Sequence, residues 1–250
     1  MTEEDKVKLY MRSRVRPIKK IKYAAKFLSF ESGIKMLQLN NIRFTQACEL
    51  NDICDCDDSM IDFSQLNTLL HPDIDKIIAH CKNDWKGIRN WGICSLGLNF
   101  DNQTLWNRYA SSSNKEDGIC IVLDINQVID DLVSRGHYIV AYPVEYIDRV
   151  EKSLPAELFY FGNKIDKMHF FSQLISTKNK VDPYTHQNWE LEHEVRLISV
   201  IEQTKPELLA LSTNCISKIY YGKHMSNENI SFLKDLINSK YLNVKVIRHW

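Results

Sequence analysis

The sequence predicts an α+β fold, in which helices flank a mixed or antiparallel β-sheet. Apolar residues switch between strand spacing and helix spacing along the 250 residues of the chain. Strands dominate the second half, and they do not alternate regularly with helices as βαβ units would. No internal repeat, low-complexity segment or credible linker divides the chain. We therefore expect a basic N-terminal segment over residues 1–21 and a single α+β domain over residues 22–250.

In the first half of the chain, turn residues and apolar spacing mark short elements. Residues 29–39 have the spacing of a helix, and NIRFTQ after them has the pattern of a strand. Residues 62–82 carry helical spacing twice and contain Pro72, so we expect two successive helices there. Two strands follow over residues 91–98 and 118–124, joined by a loop with a helical turn.

The second half begins with a helix that starts at Ile125 and stops near Gly136. The next strand covers residues 138–147, and Pro143 within it indicates an edge or a bulge. Residues 158–176 have the apolar spacing of a long amphipathic helix. The last predicted elements are strands at EVRLISVI and ISKIYYG, a helix capped by Ser226, and a strand at NVKVIRH.

The composition excludes several classes of protein. Hydrophobic residues make up 44% and charged residues 26% of the chain, which is typical of a folded globular protein. The 32 basic and 32 acidic residues cancel, so no overall charge would draw the protein to nucleic acid or lipid. The most basic stretch, Val7 to Tyr23, is either a phosphate-contacting arm or a solvated terminal segment. No apolar run approaches the roughly 20 residues of a membrane span, and no signal peptide is recognisable, so we expect a soluble, cytoplasmic protein.

The seven cysteines, an odd number spread along the chain, do not have the pattern of a disulfide framework and fit a reducing compartment. Cys48, Cys54 and Cys56 lie together in the stretch ACELNDICDCDD. The C-x-C spacing within it differs from the C-x2-C pairs that zinc sites use. We therefore interpret this stretch as an acidic loop and expect no metal.

The segment NWELEHEVRLIS, residues 188–199, carries an unusual charge pattern. In an extended strand, alternate side chains share a face, so three glutamates and an arginine would point to one side and apolar residues to the other. These four residues are Glu190, Glu192, Glu194 and Arg196. Carboxylates in a row repel one another unless a cation or solvent separates them. The pattern therefore indicates either a solvated edge, with Glu192 and Arg196 as an ion pair, or a site that uses carboxylates.

Several common signatures of nucleotide-binding and catalytic sites are absent. The chain has no G-x-G-x-x-G, no G-x4-G-K-[ST], no G-x-S-x-G and no H-E-x-x-H. These absences, together with only eight glycines in the whole chain, argue against a glycine-rich phosphate-binding loop and against a zincin. The acidic segment, the aromatic stretch LWNRYA and Tyr23 in the basic stretch remain as candidates for chemistry.

Five stretches in a fixed order resemble the bacterial domain of unknown function family 2971. They are KYAAKF, IRFTQACELND, ICSLGLNFDNQTLWNRYASSSNKEDGICIVLD, STKNKVDPYTHQNWELEHEVRLIS and ISKIYYGK. In the fourth stretch the W-x-x-E-x-E-x-R pattern of that family is complete, with Trp189, Glu192, Glu194 and Arg196 in register. The resemblance covers the chain from about Lys22 to Lys223.

This family is distantly similar to ADP-ribosyltransferase-fold toxins, and the resemblance implies a split sheet and NAD as the substrate. It implies that Glu194 is the catalytic glutamate and Glu192 its partner, because such enzymes place a glutamate at the start of a late strand, often as the second acid of an E-x-E. A carboxylate there stabilises the positive charge that grows on the ribose as nicotinamide leaves. Members resemble toxins of toxin–antitoxin and phage-defence systems, which implies an antitoxin protein as partner and a nucleic acid or a protein as acceptor.

The same resemblance implies binding roles for residues around the glutamates. We expect Tyr109 or Tyr23 to stack on the nicotinamide ring, whose positive charge favours a π-face. Many of these transferases carry three serine or threonine residues in a row at this point. This chain has C-S-L there, so Ser95 alone keeps a hydroxyl. Arginine and lysine side chains are expected to hold the pyrophosphate. The remaining candidates are Arg43, Arg108 and Lys178 for the pyrophosphate, and Thr45, Trp106 and Arg196 elsewhere in the site.

Other interpretations of these residues stay open. Trp106 and Trp189 are more often core anchors than ligand contacts, because tryptophan buries a large area wherever it lies. Two further functions compete with the transferase. One is a non-catalytic module that recognises a partner in a defence locus, and the other is a hydrolase of NAD or nucleic acid that uses the same carboxylates.

Overall fold

A computed structural model describes residues 21–50, 56, 61–62, 74–112, 115–148, 154–155, 168, 171–172, 174–202, 206–241 and 243–250. Four predictions concern residues outside these ranges. They are the basic segment up to residue 20, Cys54 in the acidic loop, the first of the two helices expected over residues 62–82, and most of the helix expected over residues 158–176. Within the described ranges, no helix is long and apolar enough to cross a membrane.

The predicted strands and helices that fall within the described ranges occur in the predicted order, and the structure adds short strands that the sequence analysis did not predict, the first of them at Tyr23–Leu28. The strands are β1 (Tyr23–Leu28), β2 (Asn41–Gln46), β3 (Ile61–Asp62), β4 (Trp91–Gly97), β5 (Ile119–Asp124), β6 (Ile139–Pro143), β7 (Glu145–Ile147), β8 (Leu154–Pro155), β9 (Thr177–Asn179), β10 (Glu194–Glu202), β11 (Glu207–Ala210), β12 (Ile216–Tyr221) and β13 (Lys245–Arg248). The helices are α1 (Phe30–Leu39), α2 (Ile74–Ile88), α3 (Gln103–Tyr109), α4 (Ile125–Ser134) and α5 (Asn227–Lys240). The predicted α+β fold is confirmed.

Among the described residues, the main sheet has nine strands and is mostly antiparallel. Its order is β11-β2-β4-β1-β5-β12-β13, and β10 pairs with β4 on one side and with β6 on the other. β12 and β13 form the parallel pair of this sheet. Two short parallel pairs lie apart from it, β3 with β8 and β7 with β9. β6 is therefore an edge strand, as Pro143 at its end predicts.

The main sheet splits at β4. One edge of β4 pairs with β10 along nearly its whole length, from Gly97 to Trp91. The other edge pairs with β1 only at Gly97, and with β2 only at Ile93 and Gly92. Because β1 and β2 separate beside residues 94–96, a gap opens between them. The split that the family resemblance implies is thus present.

Lys26 of β1 reaches across this gap. Its ammonium donates a hydrogen bond of 2.8 Å to the main-chain carbonyl of Ser95. Buried main-chain carbonyls need a partner, and neither β1 nor β2 pairs with Ser95. A side chain therefore replaces the missing strand contact at the point where the sheet divides.

Helices cover both faces of the sheet. On one face α1, α4 and α5 pack over the larger core cluster, and Val195 and Leu197 of β10 point into it. On the other face α3 packs over a smaller cluster that contains Leu105 and Trp106. Because side chains alternate along a strand, Glu194 and Arg196 point away from the larger cluster. The larger core thus sets the direction of the charged residues of β10.

Side chains cap the starts of α3 and α5. Asn102 accepts hydrogen bonds from the main-chain N–H groups of Thr104 and Leu105, at 3.0 and 3.2 Å, and so fixes the start of α3. Ser226 accepts from Asn229 N at 3.2 Å at the start of α5, which confirms the predicted cap. Both caps satisfy N–H groups that a helix leaves without an internal partner.

The strand predicted at EVRLISVI is present, but the expectation that Glu190, Glu192 and Glu194 share one strand face is wrong. Glu190–Glu192 forms a turn of 3-10 helix, and β10 begins only at Glu194. Between them His193 has a left-handed backbone with φ of 45°. Glu192 and Glu194 therefore do not share a strand face, and Glu190 belongs to the turn.

Candidate active site

A cleft of about 500 Å³ opens where the sheet splits. Side chains from β1, β2, β4, β10 and α1 line it, and so does Tyr109 at the end of α3. Eight residues that the sequence predicts for the site lie on its wall. They are Arg43, Thr45, Ser95, Tyr109, Lys178, Glu192, Glu194 and Arg196.

Glu194 and Arg196 form an ion pair within the cleft wall. Arg196 Nε donates to Glu194 Oε1 at 2.9 Å, and Arg196 Nη2 lies 3.4 Å from Glu194 Oε2. Arg196 Nη1 donates to the main-chain carbonyl of Ile175. Opposite Arg196 on β4, the Ser95 side chain hydrogen-bonds the same carboxylate. The Glu194 carboxylate is therefore held in one orientation from two strands.

Two cations keep Glu194 ionised. Burial would raise the pKa of the Glu194 carboxyl, but the charges of Arg196 and Lys178 outweigh it and hold that pKa below its ordinary value. Lys178 Nζ lies 4.0 Å from Glu194 Oε2. At neutral pH this buried wall of the cleft therefore carries a fixed negative charge between two positive ones.

Glu192 has a separate set of partners on α3. Its Oε1 accepts from Arg108 Nη1 at 2.7 Å and from the Tyr109 hydroxyl at 3.0 Å. Asn102 Nδ2 donates to the carbonyl of Leu191 at 2.6 Å, which fastens the turn to the start of α3. The alternative that Glu192 pairs with Arg196 is wrong, because Arg196 bonds Glu194 and Glu192 faces α3.

His193 separates the two carboxylates. Its positive φ reverses the chain between the turn and β10, and its carbonyl accepts from Leu98 N at 3.0 Å just beyond the end of β4. Positive φ is uncommon for a residue other than glycine, and such residues cluster at functional sites. This bend directs Glu192 to α3 and Glu194 to the β4 side of the cleft.

The charges of both carboxylates act on the hydroxyl of Tyr109. Burial and the charge of Glu192, with a smaller contribution from Glu194, raise the pKa of its hydroxyl well above the usual range. The hydroxyl therefore stays protonated and donates to Glu192. Tyr109 also lines the cleft.

Two residues that contact the site were missed by the sequence analysis. Tyr146 of β7 accepts a hydrogen bond of 3.0 Å from Glu194 N through its hydroxyl, and Lys26 bonds Ser95 across the gap. Both contacts depend on strand pairing between distant parts of the chain. The sequence signals were weak: Tyr146 lies in a predicted strand, and Lys26 lies in the stretch KYAAKF of the family resemblance. Neither carries information about the neighbours of the side chain.

Three predicted site residues do not line the cleft. Tyr23 lies at the far end of β1, half-exposed, with the Lys22 ammonium 5.1 Å from its ring centroid. Trp106 is fully buried and stacks on His249 with ring centroids 4.3 Å apart, so it is a core anchor. Arg108 reaches the site through its ion pair with Glu192.

The described residues contain no group of three or more histidine, cysteine, aspartate or glutamate side chains placed to hold a metal ion. In the acidic loop, Cys48 is exposed and Cys56 is buried.

Comparisons with known proteins add a distant structural similarity. No family model matches the chain, and no curated protein matches it, so the resemblance to family 2971 stays a prediction. One similar solved structure is Thermus sp. 2.9 DarT in complex with NAD+, with 8% identity, coverage of 93% of this chain and 97% of that chain, and a TM-score of 0.40. Another is the same protein in complex with ADP-ribosylated ssDNA, with 8% identity, 94% and 97% coverage, and a TM-score of 0.39.

Proposed function

We propose that the cleft binds NAD and that the protein transfers ADP-ribose from it to an acceptor. The observation that carries this proposal is the Glu194 carboxylate, which is buried in the cleft wall and kept ionised by Arg196 and Lys178. A fixed negative charge in a site with little water stabilises a positive charge that develops next to it. Cleavage of a glycosidic bond, which passes through an oxocarbenium-like state, is a reaction that uses such a charge.

In this reaction the bond between the ribose C1′ and the nicotinamide nitrogen breaks, and nicotinamide leaves with the electron pair. The ribose becomes oxocarbenium-like, and the acceptor attacks C1′ through an oxygen or nitrogen lone pair and then loses its proton. A carboxylate oxygen has more than one lone pair, so Glu194 can accept from the ribose 2′-hydroxyl while it keeps Arg196. Ser95 helps to aim it by bonding the same carboxylate.

The cleft also offers an anchor for the diphosphate. Arg108 is bound to Glu192, and Lys178 lies beside Glu194, so neither is the best candidate for this role. Arg43 of β2 and Lys35 of α1 line another part of the wall, and both are exposed. A guanidinium suits a diphosphate because it presents two parallel N–H donors. We assign the diphosphate to Arg43, with the nicotinamide ring near Tyr109 and Glu194.

Two measurements on the purified protein test the proposal. Saturation-transfer NMR with NAD should show transfer to the nicotinamide and adenine protons, and incubation with NAD and cell extract should release nicotinamide. Transfer is supported if nicotinamide release requires a macromolecular fraction of the extract and if that fraction becomes labelled with ADP-ribose. Release into free ADP-ribose alone would favour the hydrolase, and neither binding nor release would contradict both enzymes.

A further inference from the structure

Glu116 is a buried carboxylate that the proposed reaction does not use. It lies between α3 and β5 in the chain, and only 4% of the residue is exposed. Its Oε1 accepts hydrogen bonds from Gln103 Nε2 and from Lys223 Nζ, the latter at 3.0 Å. Burial would raise the pKa of this carboxyl, but the hydrogen bonds from Gln103 and Lys223 outweigh it and lower that pKa. Glu116 is therefore ionised at neutral pH.

His249 faces the other oxygen of this carboxylate. Its Nδ1 lies 3.4 Å from Glu116 Oε2, and within the described part of the chain neither atom has another hydrogen-bond partner. His249 is 5% exposed, and its ring stacks on Trp106 with centroids 4.3 Å apart and 22° between the planes. A buried polar atom without a partner destabilises a fold, so each of the two groups depends on the other.

The main chain also holds this Glu116–His249 pair in place. His224 N donates to the carbonyl of Glu116 at 2.9 Å, and His249 N donates to the carbonyl of Tyr221 at 2.8 Å. A Cβ at Gly222 would collide with the carbonyl oxygen of Glu116, so glycine allows the chain after β12 to pass this closely. The carboxylate and the imidazole are thus anchored to the main sheet through the end of β12.

Both members of the pair contact α3 near its start. Glu116 bonds Gln103, and His249 stacks on Trp106. Gln103 and Trp106 are three positions apart, so they lie on one face of the helix. Trp106 is fully buried in the smaller core cluster, which places this face against the sheet. The pair therefore fixes the position and the rotation of α3 over the sheet.

The other end of α3 carries the partners of Glu192. Arg108 and Tyr109 are the last two residues of this helix, and both donate hydrogen bonds to Glu192 Oε1. A helix of seven residues is only about 10 Å long, so a tilt or rotation at one end also moves the other. A displacement of about 1 Å in an active site can lower a rate on the order of a hundredfold. The position of Glu192 therefore depends on how the start of α3 is held.

We propose that Glu116 and His249 are positioning residues of the active site, which hold α3 so that Arg108 and Tyr109 keep Glu192 in its place. The effect on catalysis rests on the proposed function, whereas the link from the pair through α3 to Glu192 rests on the geometry. Both members of the pair are described by the structure, and neither lines the cleft. Their substitution should therefore leave the affinity for NAD nearly unchanged.

His249→Phe tests the link through α3 without NAD. Phenylalanine keeps a flat ring on Trp106 but has no N–H group for Glu116 Oε2. With isotope-labelled tyrosine, the NMR resonance of the ring carbon that bears the Tyr109 hydroxyl reports the hydrogen bond to Glu192, and Tyr109→Phe assigns it. Glu192→Gln should shift this resonance, and His249→Phe should shift it in the same direction by a smaller amount.

The rate of nicotinamide release gives the second measurement. His249→Phe should lower kcat about fivefold, a typical size for coupling between linked groups, and should leave KM for NAD within about twofold of wild type. In a Glu192→Gln background the same substitution should hardly lower kcat further, because the carboxylate that the pair positions is already gone. A general loss of stability would act in both backgrounds alike.

Asp131→Asn is the matched control, because Asp131 also joins a helix to another segment of the chain. Its carboxylate accepts from Ser212 N at 2.8 Å and from Ser212 Oγ at 2.6 Å, but the helix that it holds is α4. This variant should lower the melting temperature and leave the Tyr109 resonance and kcat unchanged. Glu116→Gln should have a smaller effect than Glu116→Met, because an amide can still bond its neighbours. Glu116→Gln also replaces His249→Phe should the latter unfold.

A Tyr109 resonance that does not move in His249→Phe or in Glu116→Met would overturn the proposal. So would a loss of kcat that is as large in the Glu192→Gln background as in wild type, or as large in Asp131→Asn. A shifted resonance in a protein that does not react with NAD contradicts the transferase and leaves the link through α3 in place. Release of nicotinamide together with an unshifted resonance contradicts the positioning role alone.

Discussion

Glu194 and Arg196 lie two residues apart on one face of β10 and bond each other at 2.9 Å, and their exposed fractions are only 5% and 1%. A buried ion pair stabilises a protein only when its remaining polar atoms also have partners. Arg196 meets this condition through the carbonyl of Ile175, and the Glu194 carboxylate meets it through Ser95. The pair therefore fixes the direction of a charge before any ligand binds, which is what electrostatic catalysis requires.

Replacing Glu194 with glutamine should nearly abolish nicotinamide release. Glutamine keeps the size of the side chain but removes the negative charge, and loss of one such contact costs on the order of a hundred- to a thousandfold in rate. Glu192→Gln is the matched control, with a smaller loss, because Glu194 still faces the ribose. Equal rates for wild type and Glu194→Gln would give the glutamate a structural role and favour the binding module.

The sequence alone predicts that Glu194→Gln leaves the fold intact, and the structure changes that expectation. The substitution leaves two buried cations, Arg196 and Lys178, without their shared counter-ion. We therefore expect a lower melting temperature for Glu194→Gln than for wild type. Rates should be compared at a temperature where both proteins are folded.

Arg196→Met should destabilise the protein by about 3–5 kcal/mol, because it leaves a buried carboxylate beside an apolar side chain. Urea unfolding of wild type, both single variants and the double variant Glu194→Gln/Arg196→Met measures this. The double variant should lose less free energy of unfolding than the two single losses added together, since each single change leaves a charge without its partner. Strictly additive losses would show that the two side chains do not interact.

The stability that Glu194 contributes should disappear in acid. Its pKa is lower in the folded state than the ordinary value of 4.5, so the unfolded chain takes up this proton more readily. Unfolding is therefore favoured as the pH falls, and the contribution is fully present only above the ordinary pKa. The difference in unfolding free energy between wild type and Glu194→Gln should be constant above that pH and shrink below it. A difference that grows in acid would reverse the assigned direction of the pKa shift.

His193 should tolerate glycine but not valine. Glycine adopts a positive φ without steric cost, so the free energy of unfolding of His193→Gly should lie within about 1 kcal/mol of the wild-type value. A β-branched residue is strained there, and the left-handed conformation costs about 1–2 kcal/mol for a residue with a Cβ. His193→Val should therefore be less stable and release nicotinamide more slowly, because the bend sets the positions of Glu192 and Glu194. Urea unfolding and the release assay check both effects, and equal behaviour of the two variants would contradict this role.

The alternation of charged and apolar side chains along β10 is the part of the site that the sequence predicted well. Val195 and Leu197 are apolar because they enter the main core, and this fixes the opposite direction for Glu194 and Arg196. The same pattern failed at Glu192, because a left-handed residue at His193 interrupts it. Histidine occurs at positive φ more often than most residues do, but it does not by itself locate the bend, because the conformation is set by contacts with Leu98 and Glu190.

Partners of the site residues were harder to predict than the residues themselves. Glu192 pairs with Arg108 and Glu194 with Arg196, although charge alone allows other pairings. The choice depends on α3 lying over the turn and on β10 lying beside β4, which are contacts between distant parts of the chain. Trp106, which the family resemblance places among the site candidates together with Tyr109, points instead into the core beneath α3.

The division of the sheet at β4 also has a consequence for how the chain folds. Lys26 and Ser95, which meet across the gap, are 69 residues apart, and Asn102 is 89 residues from Leu191. Contacts of such long separation form late and slowly, because the loops between them must close first. During synthesis on the ribosome, β1 and β4 emerge long before β10 does. Neither carboxylate can reach the cleft until the chain has been made as far as β10, so a shorter growing chain lacks both glutamates of the cleft.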